Sequence, residues 1–139
     1  MQERLLSLDY GSKRIGLAVN DALGLAVHPL PYLENTSEKL KKLRRLIQER
    51  NIQKLILGLP VALSGEESIA AQKVRQFAAA LAALGLPIEF IDERLSTAAA
   101  HKMMLQYNIP ARERRQKVDS LAACILLEDY LRGQDVQKI

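Results

Sequence analysis

The chain is poor in the residues that build several common kinds of site. Among its 139 residues are one cysteine, two histidines and no tryptophan. The single cysteine, Cys124 in the apolar run LAACILL, excludes an internal disulfide framework and favours a reducing compartment. His28 and His101 lack the spacing of zinc ligands, with each other or with Cys124, so the sequence argues against a zinc site. No serine triad is recognisable either.

Long apolar runs are also missing. The uninterrupted apolar stretches fall well short of the roughly 18 residues that a membrane span needs, and residues 1–4 do not look like the start of a secretory signal. We therefore expect a soluble, cytoplasmic protein with no membrane partner. A chain of 139 residues with 48% hydrophobic content can bury the core of one domain but is too short for two full lobes. We expect one domain over residues 1–139, with a flexible tail after about residue 133.

Charge and aromatic content favour a polyanionic partner that is bound through its backbone. The chain has 20 Lys and Arg against 16 Asp and Glu, a net charge of +4. This excess is consistent with nucleic-acid binding. Only four Tyr and two Phe are available for stacking on bases, so recognition of the backbone or of shape is favoured over base readout.

Hydrophobic periodicity predicts the order β-β-β-α-β-α-β-α-α. Strands are predicted at residues 4–9, 14–20, 26–33, 52–59 and 87–91. Helices are predicted after Ser37, from a cap at Ser64 to Leu84, from Ser96-Thr97 to Tyr107, and from about residue 113 to 131 with an end at Gly133. The third strand contains Pro29 and Pro31 and should therefore lie at an edge. The order predicts an α/β fold with a mixed five-stranded sheet, an antiparallel meander followed by parallel strands, flanked by helices.

Three acidic residues stand beside apolar runs that we expect in the core: Asp9, Glu93 and Asp119. A carboxylate at the edge of a core is costly unless it is paired, hydrogen-bonded or bound to a cation. A divalent cation such as Mg²⁺ explains all three together, because hard cations take oxygen ligands and leave positions for phosphate. The pattern favours phosphodiester hydrolysis.

Each acid also has a plainer interpretation. Asp9 could simply begin a turn. Glu93 could lie at a helix start, and its neighbour Asp92 is an alternative ligand, although successive strand residues point to opposite faces. Asp119, on the flank of an apolar stripe, could be a surface residue paired with Lys117 or Arg115.

Basic residues surround these acids in the sequence. Clustered Lys and Arg would neutralise phosphates, although charge runs are often only solvated surfaces. The candidate nucleic-acid contacts are Lys13, Arg14, Arg94, Arg114, Arg115 and Lys117.

Four segments, LDYGSKRIGLAV, LILGLP, FIDERLST and KVDSLAACILL, resemble in order and spacing the motifs of the bacterial YqgF/RuvX family of Holliday junction resolvases and pre-16S rRNA nucleases. The resemblance spans nearly the whole chain. It implies a ribonuclease H-like fold and a metal-dependent nuclease site, and it assigns that site to Asp9, Glu93 and Asp119. One departure follows LILGLP, where this chain has VALSG and related sequences often have Asn and an Asp-Gly turn.

The hypothesis that follows is an endonuclease that uses Mg²⁺ or Mn²⁺ at Asp9, Glu93 and Asp119. Its expected substrate is structured nucleic acid, foremost the 16S rRNA precursor in 5′ processing. Two alternatives stay open: a Holliday junction resolvase, and a non-catalytic nucleic-acid-binding adaptor. The sequence does not separate a monomer from a homodimer. A phosphotransferase of the actin-like type is disfavoured, because its cleft between two lobes needs a longer chain.

Overall fold

The structure, a computed structural model, describes residues 3–21, 23, 26–60, 68–92 and 111–137, and within the last helix it describes the side chains of residues 120–133. These residues form one mixed sheet with helices on both faces. The elements are β1 (Leu5–Tyr10), β2 (Arg14–Asn20), β3 (Val27–Glu34), α1 (Lys39–Arg50), β4 (Lys54–Leu59), α2 (Ile69–Leu81), a 3-10 turn (Ala82–Leu84), β5 (Ile88–Asp92) and α3 (Ala111–Gln137).

The five strands lie in the order β3-β2-β1-β4-β5. β1 pairs antiparallel with β2, and β2 antiparallel with β3, whereas β1–β4 and β4–β5 are parallel pairs. The predicted meander followed by parallel strands, with the proline-containing strand at an edge, is therefore confirmed. Because β1, β3, β4 and β5 all run the same way, their last residues lie at one end of the sheet, which we call the carboxyl end.

Alternation along the central strands divides the core between the two faces. Leu6 and Leu8 of β1 belong to the larger cluster, under α1 and α2. Leu5 belongs to the smaller cluster on the opposite face, where Ala123 and Leu127 of α3 pack. No helix in the described part of the chain has both the length and the apolar composition that crossing a membrane requires.

Two buried serines attach α3 to the sheet. The Ser7 hydroxyl of β1 donates to the carbonyl of Ala123 at 2.6 Å. The Ser120 hydroxyl donates to the carbonyl of Leu30 at 2.5 Å and accepts from the Leu17 amide at 3.3 Å. Both side chains are fully buried, so these bonds satisfy groups that water does not reach.

Ser120 lies beside an irregularity of the sheet. Ile15 of β2 pairs with Leu33 of β3, but Leu17 pairs with Leu30, so β3 carries one extra residue across this interval. A bulge of this kind interrupts the ladder and leaves backbone groups without a strand partner. The Ser120 hydroxyl bonds to backbone groups of both residues of the Leu17–Leu30 pair.

Two of the predicted helix boundaries are wrong. α2 begins at Ile69, where Ser68 is the N-cap and accepts from the amide of Ala71, so the predicted cap at Ser64 is wrong. After Leu81, α2 continues as a 3-10 turn that ends before Gly85, and Gly85 takes the left-handed conformation at φ 79°. α3 continues past Gly133 to Gln137, so the predicted end at Gly133 is also wrong. The helix predicted at residues 96–107 lies outside the described residues.

The opposite, amino end of the sheet carries a polar cluster around Lys54, the first residue of β4. Its ammonium lies 3.3 Å from Glu89, 3.4 Å from Glu3 and 3.3 Å from the Tyr130 hydroxyl of α3. Burial opposes the charge on Lys54, but the hydrogen bonds with Tyr130 and Glu89 outweigh it and raise the pKa of Lys54. The hydrogen bond with Tyr130, together with Lys54, lowers the pKa of Glu89 despite burial. The cluster therefore ties α3 to β4 and β5.

We expect Lys54→Met to lower the free energy of unfolding by about 1–2 kcal/mol, because it removes the charge-assisted bonds of a side chain that is only 16% exposed. Because the pKa of Lys54 is raised, its contribution to stability is complete below the pKa of the unfolded chain and is lost as the pH rises through the pKa of the folded protein. Because the pKa of Glu89 is lowered, its contribution to stability is lost as the pH falls through the pKa of the folded protein. The difference between wild type and variant in urea unfolding should thus be constant from about pH 5 to pH 10 and shrink outside this range. Arg45→Met, which removes only an exposed 3.9 Å pair with Glu49, is the control. An equal effect of both variants would contradict the role of the cluster.

Ser120→Ala should cost about 1–3 kcal/mol of stability, because it leaves two buried backbone groups without a partner. Ser7→Ala should cost less, about 0.5–1.5 kcal/mol, because it removes one hydrogen bond, to a helix carbonyl. Chemical unfolding of the two variants side by side measures the difference. The reverse order would show that Ser120 is not the stronger attachment of α3.

Candidate active site

Asp9 lies at the carboxyl end of the central strand, on the face covered by α3. It is the penultimate residue of β1, pairs with Gly16 of β2 and is half-buried. Leu8 before it packs under α1 and α2, whereas Ser7 bonds to α3, and strand alternation places Asp9 on the same face as Ser7. A strand end holds a side chain more rigidly than a loop does, which suits a ligand that must not move.

The turn between β1 and β2 is held close to Asp9 by its backbone. A Cβ added at Gly11 would lie 2.4 Å from the carbonyl oxygen of Arg14, so the tight turn requires glycine there. The Asn35 side chain donates to the Gly11 carbonyl at 2.9 Å, and the Asn35 amide donates to the Lys13 carbonyl at 2.9 Å. Lys13 and Arg14 are exposed on this turn. Two of the predicted basic contacts, Lys13 and Arg14, are therefore exposed a few residues after Asp9 in the chain.

α3 brings the backbone of Asp119 to the level of Asp9. Ala123 contacts Ser7, and Asp119 precedes Ala123 by one helical turn, or about 5.4 Å. Ser120 bonds to Leu17, and Leu17 pairs with Leu8. Ala123 therefore lies at the level of Ser7 and Ser120 at the level of Leu8, so that earlier residues of α3 lie nearer the carboxyl end of the sheet. The length of one helical turn equals the length of roughly one and a half residues of a strand. Asp119 of α3 and Asp9 of β1 therefore share a face and a level.

Asp92, the last residue of β5, lies on the face of the sheet opposite to Asp9. Ile91 packs in the smaller cluster with α3, whereas Phe90 lies under the guanidinium of Arg75 from α2, 5.1 Å from the ring centroid. Alternation therefore places Asp92 on the face of α2, opposite to Asp9. Glu93 and Arg94 lie outside the described residues. The same holds for the side chains of Asp119, Arg114, Arg115 and Lys117, whose backbone is part of α3.

The donor chemistry of the site fits a hard cation and not a soft one. Among the side chains that the structure describes, no group of three or more His, Cys, Asp or Glu could hold a metal ion, but this set does not include Glu93 or Asp119. The carboxylate of Asp9 is the kind of oxygen ligand that Mg²⁺ takes. Cys124 is only 2% exposed in the core, and burial, followed by the charge of Glu128, raises the pKa of its thiol to about 12. Cys124 is therefore a packing residue.

Sequence reasoning missed the residues that hold the site together. Ser7 and Ser120 attach α3, and Asn35 holds the turn after Asp9. A signal was present for Ser7 and Ser120, since each is a lone hydroxyl in an apolar segment, LLSLD and KVDSLAAC. For Asn35 there was none, because the partner of its side chain, Gly11, lies 24 residues away in the chain.

Solved structures show the same fold at low sequence identity. The structure of Thermus thermophilus RuvC in complex with a Holliday junction substrate matches with a TM-score of 0.57 at 14% identity, covering 95% of this chain and 96% of that one. A second structure of Thermus thermophilus RuvC matches with a TM-score of 0.52 at 13% identity, over 94% and 96% of the two chains. The fold is ribonuclease H-like, as the sequence predicted.

Sequence relatives are much more similar. A protein of Syntrophus aciditrophicus is 39% identical over 139 residues, covering 98% of this chain and 93% of its own. A protein of Lactococcus lactis subsp. lactis is 37% identical over 136 residues, covering 94% and 95%. Both carry the name "Putative pre-16S rRNA nuclease". The family model of RuvX, described as Holliday junction resolvase, matches residues 3–133, and the chain therefore belongs to the RuvX family.

Proposed function

We propose that this protein is a metal-dependent endonuclease that hydrolyses phosphodiester bonds in structured RNA, with the 16S rRNA precursor as its substrate in the cytoplasm. The observation that carries the proposal is the attachment of α3 to β1: Ser7, two residues before Asp9, bonds to Ala123, four residues after Asp119. Family membership and the names of the relatives support the reaction and the substrate.

The acids of the site would hold the cation. Asp9, Glu93 and Asp119 are the proposed ligands of Mg²⁺ or Mn²⁺. Glu93 is preferred to Asp92 because Asp92 lies on the face of α2. When bound, the cation supplies Lewis-acid stabilisation of the charge that develops on the phosphate oxygens.

The chain itself positions the substrate. β1 holds the Asp9 carboxylate on a rigid strand, and Gly11 keeps the following turn narrow enough for a phosphate backbone to approach. Lys13 and Arg14, exposed on that turn, would neutralise phosphates next to the bond that is cut. Arg94, Arg114, Arg115 and Lys117 are proposed as further phosphate contacts. These roles need no covalent bond between enzyme and substrate.

A Holliday junction resolvase is the second candidate, because the matching family model carries that description. Symmetric cutting of a four-way junction requires two sites, and therefore a homodimer, whereas trimming a precursor requires only one site. RNA and DNA present the same phosphodiester and differ at the 2′-hydroxyl. A junction substrate would thus require a homodimer, whereas a precursor RNA substrate would not.

Asp9→Asn should reduce the rate of RNA cleavage by about 10³-fold or more, because it removes a charged ligand whose cation contributes several kcal/mol to the transition state. Cleavage of a 16S rRNA precursor and of a four-way DNA junction should be measured side by side, with Mg²⁺, with Mn²⁺ and with chelator. We expect cutting of the RNA by the wild type with metal, and none with chelator.

Asp129→Asn on the far part of α3 is the matched control and should cleave normally. Faster cutting of the junction than of the precursor would favour the resolvase. Binding that survives both chelation and Asp9→Asn, without any cleavage by the wild type, would establish the adaptor instead.

Adjacent substitutions separate the two candidate ligands at the end of β5. Glu93→Gln should abolish cleavage and weaken Mn²⁺ binding measured by isothermal titration, whereas Asp92→Asn should change neither, because Asp92 lies on the opposite face. Each variant changes one acid to its amide, so net charge is matched. Loss of Mn²⁺ binding in Asp92→Asn alone would reverse the assignment.

A further inference from the structure

The basic excess of the chain is concentrated in α1 and its N-cap. Between Glu38 and Arg50, six side chains are basic and two are acidic, which gives this segment a net charge of +4, the same as the net charge of the entire chain. The remainder of the chain is therefore neutral overall. None of the candidate contacts at the proposed active site lies in this segment, so the nuclease chemistry leaves its charge unexplained.

Part of this charge borders a groove against the edge strand. A groove of about 230 Å³ lies between α1 and β3, with an apolar floor that includes Leu17, Leu30 and Leu33. Lys42 and Arg50 of α1 line it and are exposed, and half-buried Leu46 lies between them. Spacings of four residues place these three side chains on one stripe of the helix. The groove thus combines an apolar floor with two cations on one wall.

Tyr32, on the β3 side of the groove, connects it to the active-site turn. Tyr32 of β3 lines the groove, and the guanidinium of Arg14 lies 5.6 Å from its ring centroid. Arg14 pairs with Glu34 at the carboxyl end of the sheet, beside the turn that follows Asp9. From that end α1 runs back towards the amino end, with Lys42 near its start and Arg50 at its last residue.

We propose that this groove, which we call the α1–β3 groove, binds a single-stranded RNA segment that extends from the cleavage site. The inference rests on the proposed function and adds a second contact region for the same substrate. Lys42 and Arg50 neutralise phosphates, Tyr32 stacks on a base, and Arg14 connects the groove to the turn beside Asp9. About 12 Å of helix separates Lys42 from Arg50, which corresponds to roughly three or four stacked nucleotides.

Charge and backbone chemistry favour RNA over a protein partner. A polyanion complements a segment of net charge +4. A peptide that extends the sheet would need donors along β3, but Pro29 and Pro31 have no backbone N–H to offer. A second copy of this chain would have to place its own basic α1 or its neutral remainder against this surface, without charge complementarity.

The test compares two charge-matched double variants of α1. Lys42→Ala/Arg50→Ala removes the cations of the groove, and Lys41→Ala/Arg44→Ala removes two exposed cations that do not line it. Binding is measured by fluorescence anisotropy in chelator, so that nothing is cut, using an RNA hairpin with an eight-nucleotide single-stranded extension and the same hairpin without it. Equal melting temperatures of the two variants exclude a folding defect.

Loss of the groove cations should weaken binding of the extended hairpin about tenfold and reduce the slope of log Kd against log salt by about 1.4, or roughly 0.7 for each of two phosphates. The control pair should change both values much less, and the hairpin without extension should bind both variants like the wild type. Tyr32→Leu should weaken binding of the extended hairpin without changing the slope, because stacking involves no charge.

Equal losses in the two double variants, or an equal loss with the hairpin that lacks the extension, would overturn the proposal. A loss of affinity confined to a four-way DNA junction would also overturn it. So would a dimer of the wild type in sedimentation that dissociates in Lys42→Ala/Arg50→Ala, because the groove would then contact a second copy of the chain. Cleavage of the short hairpin by the wild type separates the two questions. The proposal for the groove can fail while this cleavage persists, whereas failure of the proposed function removes the cleavage itself.

Discussion

The seating of α3 on the sheet is the constraint on which the rest of the structure depends. Ser120 bonds to both β2 and β3 beside the bulge, and Ser7 bonds from β1 to the next turn of the helix. Small side chains around them, Ala122 and Ala123, let the helix axis approach the strands. This register fixes where the backbone of α3 lies relative to the end of β1. With it, two remote segments meet at one level.

The two ends of the sheet carry different groups of residues. The amino end of the sheet is closed by the Lys54 cluster, which satisfies its charges internally and includes Tyr130 of α3. The carboxyl end carries Asp9 and the narrow turn at Gly11. One end of α3 is therefore tied to β4 and β5, while its other half extends towards the proposed chemistry. The net basic charge lies along α1, where we propose that an extended substrate continues after it leaves the cleavage site.

Much of the fold could be predicted because its causes are local. Alternating apolar runs gave the strands, and Pro29 and Pro31 indicated an edge position that the sheet order confirms. The helix boundaries were less certain: Ser68 caps α2 in place of Ser64, and Gly133 is accommodated within α3, where nothing within 4 Å would meet a Cβ. Glycine ends a helix only when the chain must turn there, which depends on tertiary context. The candidate acids came from motifs, but the contacts that position them, from Ser7 and Ser120, are long-range and leave only a weak trace in the sequence.

We propose that Asp9, Glu93 and Asp119 form one divalent cation site at the carboxyl end of the sheet. The most direct measurement is an anomalous difference map from crystals of the wild-type protein soaked in Mn²⁺. We expect a peak in contact with the carboxylates of Asp9, Glu93 and Asp119. A map with no peak beside Asp9, or with Mn²⁺ held by Asp92 on the face of α2, would contradict it.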